Sequence, residues 1–289
     1  MKKDNKYLIL IHIAILLFGS ASLFGKMINQ PAFAIVEGRV IISLIVMSFI
    51  FKFKNISLKL NSKSEYKKVL LLGAILAIHW VLFYHSVQMS TVAIGLLTFS
   101  TCPIFATFIE PLFFKNEKLT KENIIVALVA FFGVFLVVPK IEIGSSMLIG
   151  AIEGVLAGLT FALISVLERK YVKQINGFVI SFYEQAVVLV ALLPICFFAK
   201  LNPPTVSDIL LILLFGTVFT VLSRYCYING LKGVSAQTAG VLTSLEPIYG
   251  IILAALILDE IPTSRELIGG VVILAAVVYS SLKSMKRNK

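Results

Sequence analysis

The sequence predicts an all-α integral membrane protein of ten transmembrane helices, built as two inverted five-helix repeats over residues 1–140 and 141–289. Three observations predict it. The chain is 58% hydrophobic and 14% charged with a mean hydropathy of +0.97, too little polar surface to cover a water-soluble globule of 289 residues. Its apolar residues fall into continuous runs near the length that spans a hydrocarbon core, and they do not alternate as barrel strands do. The second half also echoes the first: Tyr84, Ala93, Ser100, Pro103, Ile104, Glu117, Thr120 and Val134 recur as Tyr227, Ala236, Ser244, Pro247, Ile248, Glu260, Thr263 and Val277, 143 or 144 residues later.

In chain order the ten runs are Tyr7 to Gly25, Ala32 to Phe53, Val69 to Gln88, Thr91 to Phe114, Asn123 to Val138, Gly144 to Leu167, Gly177 to Ala199, Ser207 to Gly230, Val234 to Leu258 and Ser264 to Leu282. The first begins after Lys2, Lys3 and Lys6 like a secretory leader, but no small-residue cleavage site follows before Lys26, so it reads as a retained helix. The third and fourth are divided only by Met89 and Ser90. Proline removes a backbone donor, so Pro103 and Pro247 predict kinks in the fourth and ninth.

Charge sets the orientation. With an intracellular N-terminus, twenty Lys and Arg fall in inner segments and only Lys26, Lys140, Lys200 and Arg265 in outer ones, so both termini are expected in the cytoplasm of a cell-membrane protein. Gain or loss of one helix would spoil that asymmetry. The equivalent linkers carry opposite charge, Lys115 to Lys121 in one copy and Asp259 to Glu266 in the other, which sets the two copies upside down relative to each other. An inverted repeat of this kind is the pattern of a secondary transporter. The net charge of +11 would suit nucleic acid in a soluble protein; here it sits beside membrane lipid and no nucleic-acid partner is expected. Cys102, Cys196 and Cys226 stand singly in apolar runs without metal-ligand spacing, so no metal or cofactor is expected.

The linkers are too short for a soluble domain, so binding must occur within the membrane, where ionisable residues face a cavity or a partner. By depth, Arg39 and Glu153 match on the outer side, Glu184 and Arg224 on the inner side, and His79 and Glu246 lie between. Thr217, Thr220, Arg224 and Tyr227 recur at three and four, one helical stripe expected to face water or solute. Trp80, Tyr84 and Gln88 form a matching run, and Tyr84 is the repeat equivalent of Tyr227. Glu37 aligns loosely with Glu184; it and Arg39 point to nearly opposite sides of one helix. Glu246 precedes Pro247 and reads either as a proton or cation site or as a neutral, hydrogen-bonded acid. His12 and His85 read as hydrogen-bonded residues, Glu110 and Glu168 as solvated acids near the inner surface, and Glu117 and Glu260 as structural linker acids.

Val234 to Gly240, then Leu245 to Ile248 and Leu258 to Thr263, resemble the repeat of the EamA-type drug/metabolite transporter superfamily, and Thr91 to Thr120 is similar. The resemblance implies a carrier of small metabolites, often outward, with a cavity formed by the first four helices of each half and a peripheral fifth. Arg39, His79, Tyr84, Glu153, Glu184, Arg224, Tyr227 and Glu246 are the candidate pathway residues. The expected function is alternating-access movement, as export, of a small polar metabolite such as an amino acid. A passive facilitator is the alternative. Proton or cation coupling and homodimerisation stay open. A membrane-embedded lipid-modifying enzyme would need a clustered catalytic set, and the sequence has neither HExxH nor GxSxG.

Overall fold

A computed structural model describes residues 2–114, 119–138, 142–171, 174–230 and 242–287, and among them there is no strand. The helices are α1 (Lys2–Ala21), α2 (Phe24–Met27), α3 (Ala32–Phe53), α4 (Lys63–Met89), α5 (Val92–Phe99), α6 (Cys102–Phe113), α7 (Lys121–Val137), α8 (Ser146–Tyr171), α9 (Gly177–Phe198), α10 (Val206–Leu214), α11 (Ser223–Gly230), α12 (Glu246–Ile257) and α13 (Ser264–Arg287). A π-helical stretch, Phe215–Leu222, joins α10 to α11. Seven segments are long and apolar enough to cross a bilayer: Lys6–Met27, Ala32–Phe53, Lys63–Met89, Val92–Phe113, Ser146–Tyr171, Gly177–Phe198 and Val206–Tyr227. The protein is a multi-pass membrane protein. The linker Lys115 to Lys118, Lys140, Lys173 and the stretch 231–241, which includes Lys232 and the predicted start of the ninth run, lie outside the described residues.

Helix starts follow local chemistry. Thr91, Thr120 and Thr205 each accept the backbone N–H three residues on, and Asp208 closes a capping box by accepting from Thr205 N at 2.9 Å. Glu266 does the same for Thr263 at 2.6 Å. The expected kinks are full breaks. α5 ends at Phe99 and α6 restarts at Cys102 with Pro103 in its first turn, while α12 starts at Glu246 with Pro247 next. At the narrow boundary α4 ends on Met89, Ser90 breaks the helix and Thr91 caps the next.

α4 packs along α8 and α9, α1 along α11 and α12, and α3 along α9 and the π stretch. α7 packs on α13, apart from most of the others. At that crossing a Cβ on Gly269 would meet Gly133 O at 2.7 Å, and one on Gly133 would meet Gly269 O at 3.0 Å. Side-chain-free backbone contact is how helices associate in lipid, where apolar burial supplies no driving force. Gly269→Leu is therefore expected to push α13 off α7 and cost about 1 to 3 kcal/mol, read as a lower melting temperature of the detergent-solubilised protein. An unchanged melting temperature would contradict the close crossing.

Candidate functional site

α3 turns Arg39 toward α4 and the π stretch, where aromatic faces enclose it. Its guanidinium carbon lies 4.0 Å from the centre of the Trp80 ring and 4.3 Å from that of Phe215. Nη1 donates to Tyr84 Oη at 3.0 Å, and Tyr84 Oη donates in turn to Ala21 O at 3.4 Å. Arg39 is 6% exposed, its Nε has no hydrogen-bond partner, and no described carboxylate lies within ion-pair distance. Desolvated cation–π contacts contribute about 2 kcal/mol, less than the cost of an unpaired cation in hydrocarbon.

The expected pairing of Arg39 with Glu153 is not formed. Tyr84 and His85 are consecutive on α4 and point about 100° apart, so the face that takes Arg39 is not the face that takes α8. Glu153 instead accepts from His85 Nδ1, which lies 2.8 Å from both carboxylate oxygens. His79, also on the α8 side, places Nδ1 3.0 Å from Ala157 O, and only the Nδ1–H tautomer can donate there. Its ring packs with those of Phe99 and Phe161, so described partners account for it structurally.

The second expected pair does meet, with a third member. Arg224 on α11 places Nη2 3.8 Å from Glu184 Oε2 and 2.5 Å from Glu168 Oε1. Glu184 is buried, and its Oε1 and Arg224 Nε lack hydrogen-bond partners. Glu168, expected to be a solvated acid, is the nearer partner of Arg224. α8 runs on to Tyr171, and a long arginine side chain reaches an acid one turn from the helix end. The signal available in the sequence was Glu168 itself, beside Arg169, which pairs with Glu110 at 2.6 Å.

The polar stripe through Arg224 is not a plain α-helical face. Between Phe215 and Leu222 the backbone is π-helical, and Thr220 is buried with Oγ1 donating to Phe215 O five residues back at 2.9 Å. Thr217 donates to Leu213 O at 2.7 Å. Only Arg224 and Tyr227, beyond the π stretch, keep the expected relation. The Tyr227 ring lies 5.8 Å from that of Phe18 and packs over Ile11 and Ile15. Glu246, at the first turn of α12, makes no hydrogen bond to a described residue. Arg39 with Tyr84, and Arg224 with Glu184 and Glu168, thus form two polar sets.

One end of the helices is closed by polar contacts. Lys26 Nζ donates to Ser90 O at 2.6 Å and lies 3.6 Å from Glu260, whose other oxygen accepts from Val92 N at 2.8 Å. Gln88, the last member of the run through Trp80 and Tyr84, donates to Gln30 O at 2.8 Å and lines a cleft of about 460 Å³ with Lys26, Asn29, Gln30 and Asn202.

The sequence pattern described as the EamA-like transporter family matches residues 5–138 and again residues 148–282. A Clostridium kluyveri protein named as an uncharacterized transporter is 27% identical over 61% of this chain and 59% of its own length, so the chain spans less than two thirds of that relative. An S-adenosylmethionine uptake transporter of Rickettsia felis is 24% identical over 85% of this chain and 82% of its own length. A solved crystal structure with 15% identity aligns over 99% of both chains at a TM-score of 0.68, a likeness of fold. With the family pattern covering nearly the whole chain and relatives named as transporters rather than enzymes, the chain belongs to the EamA-like transporter family and is a membrane transporter.

Proposed function

We propose that the protein is a secondary carrier of ten transmembrane helices in two inverted halves, 1–140 and 141–289, moving a small zwitterionic metabolite such as an amino acid out of the cell by alternating access. The observation that carries this reading is Arg39, a guanidinium buried in the membrane region with no carboxylate within ion-pair distance among the described residues. It is a waiting counter-charge for a solute carboxylate, boxed by rings that suit the solute's apolar part. Glu246, and the Glu184 oxygen left free by Arg224, are counter-charges for an ammonium group.

Packing supports the two halves. Exchanging each helix for its counterpart in the other half turns the contact of α4 with α8 into that of α11 with α1, and α4 with α9 into the π stretch with α3. A Cβ on Gly73 would meet Glu184 O at 2.9 Å, and one on Gly216, 143 residues later, would meet Arg39 O at 2.9 Å. These contacts align Arg39, rather than Glu37, with Glu184. The double match to one family pattern agrees with the division.

The Rickettsia relative favours a second reading, inward movement of S-adenosylmethionine, a solute that itself carries an amino-acid group beside a cationic sulfur. A passive facilitator would use the same cavity without accumulation.

Two measurements test the proposal. With Cys102, Cys196 and Cys226 replaced by Ala, a cysteine at Asn202 is expected to react with a membrane-impermeant maleimide on intact cells, and one at Lys59 only after the membrane is opened. Equal reaction at both positions would break the topology. In proteoliposomes, exchange of a radiolabelled mixture of the twenty amino acids, and separately of S-adenosylmethionine, is expected to fall by roughly a hundredfold in Arg39→Ala, the loss of about 2 to 3 kcal/mol of charge-assisted binding. Arg39→Lys should recover part of it, with the same amount of folded protein throughout. Full exchange by Arg39→Ala would remove Arg39 from the pathway.

A further inference from the structure

We propose that Glu37 is a proton-binding site, loaded and emptied from the outer side, through which protons bias the position of α3. Glu37 is 4% exposed, and both carboxylate oxygens are buried without a hydrogen-bond partner among the described residues. Native structures leave few such groups, and each calls for a physical reason. The groups on the elements packed against α3 do not supply a partner. From α9, Cys196 is the titratable group near enough to act on Glu37, while Glu184 lower on that helix is committed to Arg224. On α10, Asp208 accepts from Asn29 N and Thr205 N, both at 2.9 Å. On α4, His79 and Tyr84 are committed to Ala157 O and Arg39, and the π stretch holds no titratable side chain. Arg39, two residues on, faces the aromatic box on nearly the opposite side of α3.

An ionised carboxylate without water, cation or donor does not persist in hydrocarbon, so the arrangement described is that of the neutral acid. Glu37 lies five residues inside α3, about 7.5 Å along the axis from Ala32, the end that the proposed topology places outside. When the acid gives its proton to water, leaving carboxylate and hydronium, the anion gains hydration only if that end of α3 moves toward the outer aqueous phase. Taking the proton back favours the buried position. Nothing in the exchanged half repeats the device, because the packing sets Phe182 opposite Glu37, two residues before Glu184 as Glu37 is before Arg39. The coupling rests on the carrier reading; the proton site does not.

The test uses the full chain in liposomes. Dicyclohexylcarbodiimide reacts with protonated carboxyls in apolar surroundings, and peptide mass spectrometry reads the resulting N-acylurea. The adduct on Glu37 is expected to fall roughly tenfold or more between about pH 5 and about pH 9. Its absence at every pH, or its independence of pH, would overturn the site. Glu37→Gln is expected to keep exchange of the radiolabelled amino-acid mixture at equal pH and to lose accumulation driven by an imposed pH gradient; a merely structural acid would not separate the two. Accumulation by Glu37→Gln equal to that of the parent protein would overturn the coupling. Should the parent protein move no amino acid, the carrier reading fails on that count, while the adduct still decides the proton site.

Discussion

Hydrocarbon offers a charge neither water nor counter-ion, and the interior of this protein is arranged around that constraint. Three of the ionisable groups in the membrane region meet it by different means. Arg224 lies near two carboxylates, His85 donates a hydrogen bond to Glu153, and Arg39 is wrapped in ring faces and one phenol. Removing one partner from such a set is costlier than the set is worth, because the charge left behind stays buried. Arg224 and its two acids therefore link α8, α9 and α11.

The same constraint explains where the backbone departs from regular helix. Breaks in a membrane helix are tolerated where other groups take up the freed donors and acceptors. Around the break before Pro103, Thr98 donates to Ile94 O, Ser100 to Leu96 O and Thr101 to Thr98 O, all at 2.7 Å. Those hydroxyls add a second hydrogen bond to carbonyls of α5 that already accept backbone N–H groups, and so fasten the end of α5 beside α8. The equivalent break before Pro247 places an acid, Glu246, at a helix start, where the end of the helix dipole favours negative charge. At the corresponding position before Pro103 stands Cys102, so of these two helix starts only that of α12 carries an acid.

How far the sequence reached follows from which quantities are one-dimensional. Run lengths, caps and prolines are local, so Met89 and Ser90 located a boundary and Pro103 and Pro247 located breaks. Depth is also nearly local, and it paired Glu184 with Arg224 correctly. It failed for Arg39 and Glu153 because equal depth says nothing about which side of α4 each approaches. Glu168 was misjudged for a related reason, since its distance from the surface was counted along the backbone while the reach of the arginine side chain was not. The π stretch had no signal in residue spacing. One extra residue per turn shifts everything after Phe215, and with it the stripe through Thr217 and Thr220.

Under the two-half reading, the packing-equivalent positions carry opposite charges, Arg39 in one half and Glu184 in the other. Inverted halves with identical charges would present the same field from either side of the membrane. In the proposed carrier, an exchange of conformations between the halves would reverse the field that a dipolar solute meets. Glu184 already has a cation and Arg39 has no anion, so the state with Arg39 enclosed is the one that gains most from a carboxylate arriving beside it. A ligand shifts an equilibrium only by the difference in its affinity for the two states. The unequal compensation of these two positions is such a difference, and in the proposed carrier it would give a solute carboxylate a means of changing which side is open.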